Sequence, residues 1–161
     1  MTPIEDLHNA YLLIAEMKIP IPRKVRLLSE LFAESPNPWR VVGITEKALD
    51  VFKEHNFKKI SKMGINRSHI INRNDTYTYM FNNIFKDPNK WWNYYFDKDK
   101  TILSTSSENT ASKFSTITTF DNNNFLFKSR GFAWTHGKQE EQFLKELYAK
   151  QRNYRDRTPH Y

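Results

Sequence analysis

Gly64-Ile65-Asn66-Arg67-Ser68-His69-Ile70-Ile71 and, further along, Thr101-Ile102-Leu103-Ser104-Thr105-Ser106-Ser107-Glu108-Asn109-Thr110 decide the fold. The first is a short run opened by a glycine. The second is apolar before it turns to small hydroxyl residues, and both read as short strands. Ser107 is positioned to cap a helix beginning at Glu108 or Asn109, because a small hydroxyl accepts an unmatched N–H of a helix's first turn. Between the strands, residues 75–85 set Tyr77, Met80, Phe81 and Ile84 on one helical side, and Asp87-Pro88 opens a second helical stretch through Trp91-Trp92-Asn93-Tyr94-Tyr95-Phe96. Strand, helical insert, strand and helix in that order predict an α+β fold.

Working outward, the N-terminal third reads as helices. Ile4, Leu7, Tyr11, Ile14 and Ala15 recur at three- and four-residue steps. Ile19-Pro20-Ile21-Pro22 breaks that helix, and Pro22 suits the first turn of the next, which carries Val25, Leu28, Leu31 and Phe32. Ser35-Pro36-Asn37-Pro38 is a turn, and Thr45 caps a third helix over Ala48, Leu49 and Phe52. On the C-terminal side, residues 115–120 and 125–128 read as a hairpin closed by Asp121-Asn122-Asn123-Asn124. Gly131-Phe132-Ala133-Trp134 adds a strand, and 139–151 reads as a helix with Phe143, Leu144 and Leu147 inward. The expectation is one domain over 1–161. It comprises a helical layer (1–55), a central motif with its aromatic insert (64–114), a hairpin plus helix (115–151) and a basic, frayed tail (152–161).

Composition narrows the function classes. The chain has 161 residues, 39% of them hydrophobic, and no cysteine, which excludes disulfide scaffolds, thiolate zinc sites and cysteine nucleophiles. Its four glycines form no phosphate-cradling loop. The longest strongly apolar run, 11–15, is far below the roughly 20 residues of a membrane span. No secretory leader is read in the polar, acidic first residues, so a soluble cytoplasmic protein is expected. The formal charge of +7 is concentrated: residues 56–100 carry nine basic and four acidic side chains, and 128–161 carry eight and four. Two basic blocks point to a polyanionic partner, nucleic acid first.

Of the five histidines, His8, His55 and His160 read as packing or solvated residues, and His136 as a turn histidine. His69 differs: it lies in a strand between Arg67 and Arg73. Cleaving a phosphodiester takes a base to deprotonate water, a hard cation to neutralise developing charge, and cations to hold the strand. Imidazole suits the first role, Asn or Asp oxygens suit Mg²⁺, and the guanidinium fork suits phosphate.

Arg67-Ser68-His69-Ile70-Ile71 followed by Thr101 to Thr110 resembles the two halves of an HNH (ββα-metal) endonuclease motif. The likeness is closest to the phage homing-endonuclease type, whose second strand ends Val-Thr-x-x-Glu-Asn-Thr. It covers 64–114. The resemblance implies His69 as general base, Asn109 as ligand to one divalent ion such as Mg²⁺, and single-metal hydrolysis of double-stranded DNA. A second copy, in a homodimer, would cut both strands. Two departures stand out. Ser68 occupies the position where the family carries Asp, Asn or His, often the second metal ligand, and 40 positions separate His69 from Asn109, about twice the compact spacing. Ser68, or a carboxylate from Asp75, Asp97 or Asp99, would complete the ligand set.

Arg67, Arg73, Lys90 and Trp91 are the candidate nucleic-acid contacts. The aromatic insert reads chiefly as core through Trp92, Tyr95 and Phe96, leaving Trp91 or Tyr94 to stack on bases. The same features fit a non-catalytic nucleic-acid-binding module, which Ser68 favours, or a phage or bacterial interaction protein. Glu108-Asn109-Thr110 also suits an ordinary helix start. Glu16-Met17-Lys18, the one Glu-x-Lys match to a PD-(D/E)xK nuclease, lies in a helical stretch and is set aside.

Overall fold

The computed structural model describes residues 3–33, 39–122, 126–130 and 133–156. The fold is α+β, with seven helices and six strands among the described residues. In chain order these are α1 (Pro3–Glu16), α2 (Ile21–Ala33), β1 (Arg40–Thr45), α3 (Glu46–Glu54), β2 (Ile65–His69), α4 (Arg73–Asn82), α5 (Pro88–Lys98), β3 (Lys100–Thr105), α6 (Ser106–Ala111), β4 (Ile117–Thr119), β5 (Ser129–Arg130), β6 (Ala133–Trp134) and α7 (Lys138–Asp156). The chain divides into two compact units, each assembled from three separate stretches. No helix among the described residues is long and apolar enough to cross a membrane.

The helical unit contains Met1–Arg40, His69–Lys100 and Ser129–Ala133, and so α1, α2, α4 and α5. Its helices start where the sequence supplies caps. The Asn72 side chain accepts from the Asn74 N–H, and Asp87 accepts from the Lys90 N–H with Pro88 at the first helical position. The stripe of α1 meets that of α2 and the aromatic faces of α4 and α5 in a core of Tyr11, Leu28, Phe32, Tyr77, Met80, Trp91 and Tyr95. Trp91 has no exposed surface; its indole stacks on Tyr11 at 5.1 Å and on Phe32 at 5.6 Å. This corrects the reading of Trp91 as a surface base-stacking residue: the flattest, largest apolar side chain of α5 is worth most where four helices converge. His8 belongs to the same core, its Nε2–H donating to the Phe85 carbonyl at 2.7 Å.

The sheet unit contains Val41–Ser68, Thr101–Lys128 and Trp134–Tyr161. Its strands run in the order β2-β3-β1-β4, and β1 pairs antiparallel with β4 through Gly43↔Thr119, Ile44↔Thr118 and Thr45↔Ile117. Gly43 permits the close approach, because a Cβ there would lie 3.0 Å from the Thr118 carbonyl. Val41, Ile44, Leu49, Phe52, Leu103, Phe127 and Leu144 form the core.

The sequence reading changes at four points here. The strand β1 is absent from the sequence reading although Val41, Val42 and Ile44 signal it. The segment 115–120 finds its partner in β1 and not in 125–128: Leu126 and Phe127 lie in a turn, and Asn122 anchors that turn by donating to the Val41 and Leu126 carbonyls at 2.9 and 2.8 Å. The cap of α6 is Thr105, not Ser107. The expected tail is helical as far as Asp156, because α7 runs on past 151. The turn read at 35–38, the hairpin residues 123–125, the strand start at 131–132 and the last residues, 157–161, lie outside the described residues.

Replacing Trp91 with Ala should destabilise the protein by about 3–5 kcal/mol, the usual cost of emptying a large aromatic site. Chemical denaturation followed by circular dichroism measures this, and an unchanged midpoint would contradict the core assignment.

Candidate functional site

Successive side chains of a strand leave opposite faces, and on β2 this sends Ser68 and His69 into different networks. Ser68 is buried in the sheet unit, where its hydroxyl donates to Asn109 Oδ1 at 2.6 Å. A hydroxyl has one proton to give, so the Ser104 hydroxyl, 2.6 Å away, donates to Ser68 in turn. The chain Ser104, Ser68, Asn109 thus joins β3, β2 and α6, with Asn109 itself exposed.

His69 belongs to the helical unit. Its Nε2 lies 3.1 Å from Asp99 Oδ1, with the two side chains 16% and 5% exposed. A carboxylate only accepts, so Nε2 bears the proton and the basic lone pair of the neutral ring is on Nδ1. Asp99 is itself fixed. Its Oδ2 accepts from the Trp39 backbone N–H at 2.6 Å and from the Tyr95 hydroxyl at 2.8 Å. It also ends α5, its N–H donating to the Tyr95 carbonyl at 2.8 Å. Burial first, and then the Asp99 charge, push the Tyr95 hydroxyl well up, so it stays a donor. The Trp39 ring meets His69 edge-on at 4.7 Å, and Trp39 takes φ 65°, a left-handed conformation costly for a bulky residue. Of the three carboxylates open in the sequence reading, Asp99 alone faces His69. Asp97 pairs with Lys98 and Lys100 at the surface, and Asp75 is exposed in the first turn of α4.

The other candidates divide the same way. Arg67 is buried in the sheet unit, its guanidinium 5.7 Å from the Trp134 ring that Lys59 also covers at 3.8 Å. Burial, then the Arg67 charge, lowers the Lys59 pKa. Arg73 is half-buried in the helical unit, 5.2 Å from the Trp39 ring, and Lys90 is exposed in the first turn of α5. Tyr94 stacks on Tyr79 at 5.1 Å, which occupies one of its faces. His136 packs flat on Phe52 at 5.2 Å and donates from Nε2 to the Phe57 carbonyl; burial lowers its pKa. It is a packing residue.

Among the described residues no three His, Asp or Glu side chains group to hold a metal ion. Ser68 and Asn109 are a poor match to a hard dication, since both are neutral and the Ser68 proton already occupies one lone pair of the Asn109 oxygen. The donor set therefore does not fit the Mg²⁺ that the resemblance implies. Comparison of the chain with family models, with curated proteins and with solved structures finds no match.

Sequence reasoning passes over Trp39 and Tyr95 as partners of the histidine, although Tyr95 precedes Asp99 by one helical turn. It also reads Glu108 only as a helix-start residue. Glu108 is buried, and its Oε2 accepts from the Thr105 N–H at 2.9 Å and from the Thr105 and Thr45 hydroxyls at 3.0 and 2.8 Å. Its Oε1 accepts from the Ser115 N–H and hydroxyl at 2.8 and 2.6 Å. Burial alone would raise its pKa; the bonds from Ser115, Thr105 and Thr45 outweigh it and hold the carboxyl down at about 2.

Because the folded pKa lies below the usual 4.5, the carboxylate stabilises the protein fully above that value, and the contribution is lost as pH falls towards 2. Replacing Glu108 with Gln should cost about 2–4 kcal/mol, from charged hydrogen bonds lost and donors left unmatched. It should also flatten the stability profile between pH 4.5 and 2, read by urea unfolding at a series of pH values.

Proposed function

We propose that this chain hydrolyses DNA phosphodiester bonds, with His69 as the general base and Asp99 as the residue that orients its ring. The observation that carries the reading is the His69–Asp99 pair at 3.1 Å, with Asp99 buried and fixed by Trp39 and Tyr95. A base locked in one tautomer by a held carboxylate, with the other ring nitrogen left for a proton, is the arrangement that activates a nucleophile. The strained backbone of Trp39 supports it, since strain of about 1–3 kcal/mol persists where function requires the conformation. The basic block at 56–100 and the likeness to the HNH motif supply the substrate class: double-stranded DNA, in the cytoplasm, with a second copy to cut the second strand.

A second reading, a nucleic-acid-binding module that does not cleave, draws on the hydrogen bond that Ser68 donates to Asn109, which engages the two neutral groups the motif would offer to a cation. Incubating supercoiled plasmid with the protein and Mg²⁺, and again with EDTA, separates the two. Nicking by the wild type is expected to fall about 10²–10⁴-fold in His69→Ala, the usual contribution of a general base. It should also fall in Asp99→Asn, with a changed pH profile. Cleavage at the wild-type rate by His69→Ala overturns the base assignment. Salt-sensitive binding without nicking supports the module, and the EDTA arm decides on the cation.

A further inference from the structure

We infer that the cleft between α2 and α4 is a binding site for a phosphate group, with Arg26 and Arg73 as its cations. The cleft encloses about 490 Å³, large enough for a nucleotide-sized ligand. On α2 its wall is Pro22, Val25, Arg26, Ser29 and Glu30, the residues a helical period puts on one face; α4 contributes Arg73, Asn74 and Thr78. Val25 is buried at the floor, whereas Arg26 is exposed and Arg73 half-buried. The lining thus sets two guanidinium groups against one carboxylate.

Neither arginine is in an ion pair or a side-chain hydrogen bond with another described residue. Glu30 stands one helical turn from Arg26, yet the two do not pair. Arg73 lies with its guanidinium carbon 5.2 Å from the centre of the Trp39 ring, and a guanidinium set against an aromatic face keeps its in-plane N–H groups for an acceptor. Two uncommitted guanidinium groups, with the Asn74 amide and the Thr78 hydroxyl in the same wall, match the acceptors of a phosphate. The inference stands apart from the hydrolase reading, because it needs neither a base nor cleavage.

The phosphate could belong to a mononucleotide or to the backbone of a strand, and calorimetry with three probes distinguishes them: adenosine 5′-monophosphate, adenosine, and a short single-stranded oligonucleotide without terminal phosphates. His69→Ala protein serves as the background, so the result does not depend on cleavage. At least one phosphate-bearing probe should bind and adenosine should not. Affinity should fall about tenfold or more in both Arg26→Glu and Arg73→Gln and should weaken with added salt. Binding of the monophosphate assigns a terminal phosphate; binding of the oligonucleotide alone assigns an internal diester. Arg26 is exposed, so its variant retains the wild-type thermal unfolding. Failure of both phosphate probes, equal binding of adenosine, or unchanged affinity in either arginine variant overturns the inference.

Discussion

The Glu108 carboxylate accepts five hydrogen bonds while almost completely withdrawn from water, and the sheet unit is organised around it. Three of its donors are hydroxyls that face two ways. Thr45 donates to Glu108 and accepts from the Ala48 N–H, Ser115 donates and accepts from the Lys47 N–H, and Thr105 donates and accepts from the Glu108 N–H. A helix N-terminus leaves unmatched N–H groups and a partial positive charge. Through these hydroxyls one negative charge serves the N-termini of both α3 and α6. β1 and β3 end at the threonines that cap those helices, and β4 begins two residues after Ser115. A buried carboxylate without such partners would be expensive; this one has both oxygens satisfied.

In the helical unit the comparable role falls to Asp99, by a different route. Here the carboxylate closes α5 and gathers a backbone N–H, a tyrosine hydroxyl and an imidazole. The aromatic core makes this arrangement rigid. Tyr95 is 1% exposed and lies 4.0 Å from the Phe32 ring, so its hydroxyl has one place to go. Core packing and the candidate chemistry are therefore linked through a single residue: the ring that fills the centre of the unit also orients the acid that orients His69.

Much of the helical fold is legible in the sequence because its signals are local. Pro22, Thr45, Asp87-Pro88 and the apolar stripe of α1 each act within one or two turns, and the corresponding helices form there. What escapes is non-local. Residues 115–120 have a turn-rich stretch immediately after them, which imitates a hairpin, yet β4 pairs with β1 across some seventy residues of chain. Thr105 outcompetes Ser107 as the cap because Glu108, three residues on, completes a reciprocal capping box with it. Trp91 and Tyr94 are hard to rank by spacing alone, since five of the six residues 91–96 are aromatic and blur the edge of the apolar stripe. At the site, His69 and Asn109 stand out by residue type, whereas Asp99 could not be chosen over Asp75 and Asp97 without knowing which one the end of α5 turns inward.

The alternation along β2 bears most directly on the chemistry. Adjacent residues of a strand cannot both point at one partner, so Ser68 joins the Ser104–Asn109 chain and His69 joins Asp99. A single-cation site needs negative charge close to the cation, because two neutral oxygens recover little of a dication's hydration energy. The carboxylate that could supply it is instead hydrogen-bonded to the imidazole, the orienting contact on which the proposed hydrolase reading draws. Both oxygens of Asp99 already accept hydrogen bonds, from Trp39, Tyr95 and His69, and a cation would have to compete with all three donors for them.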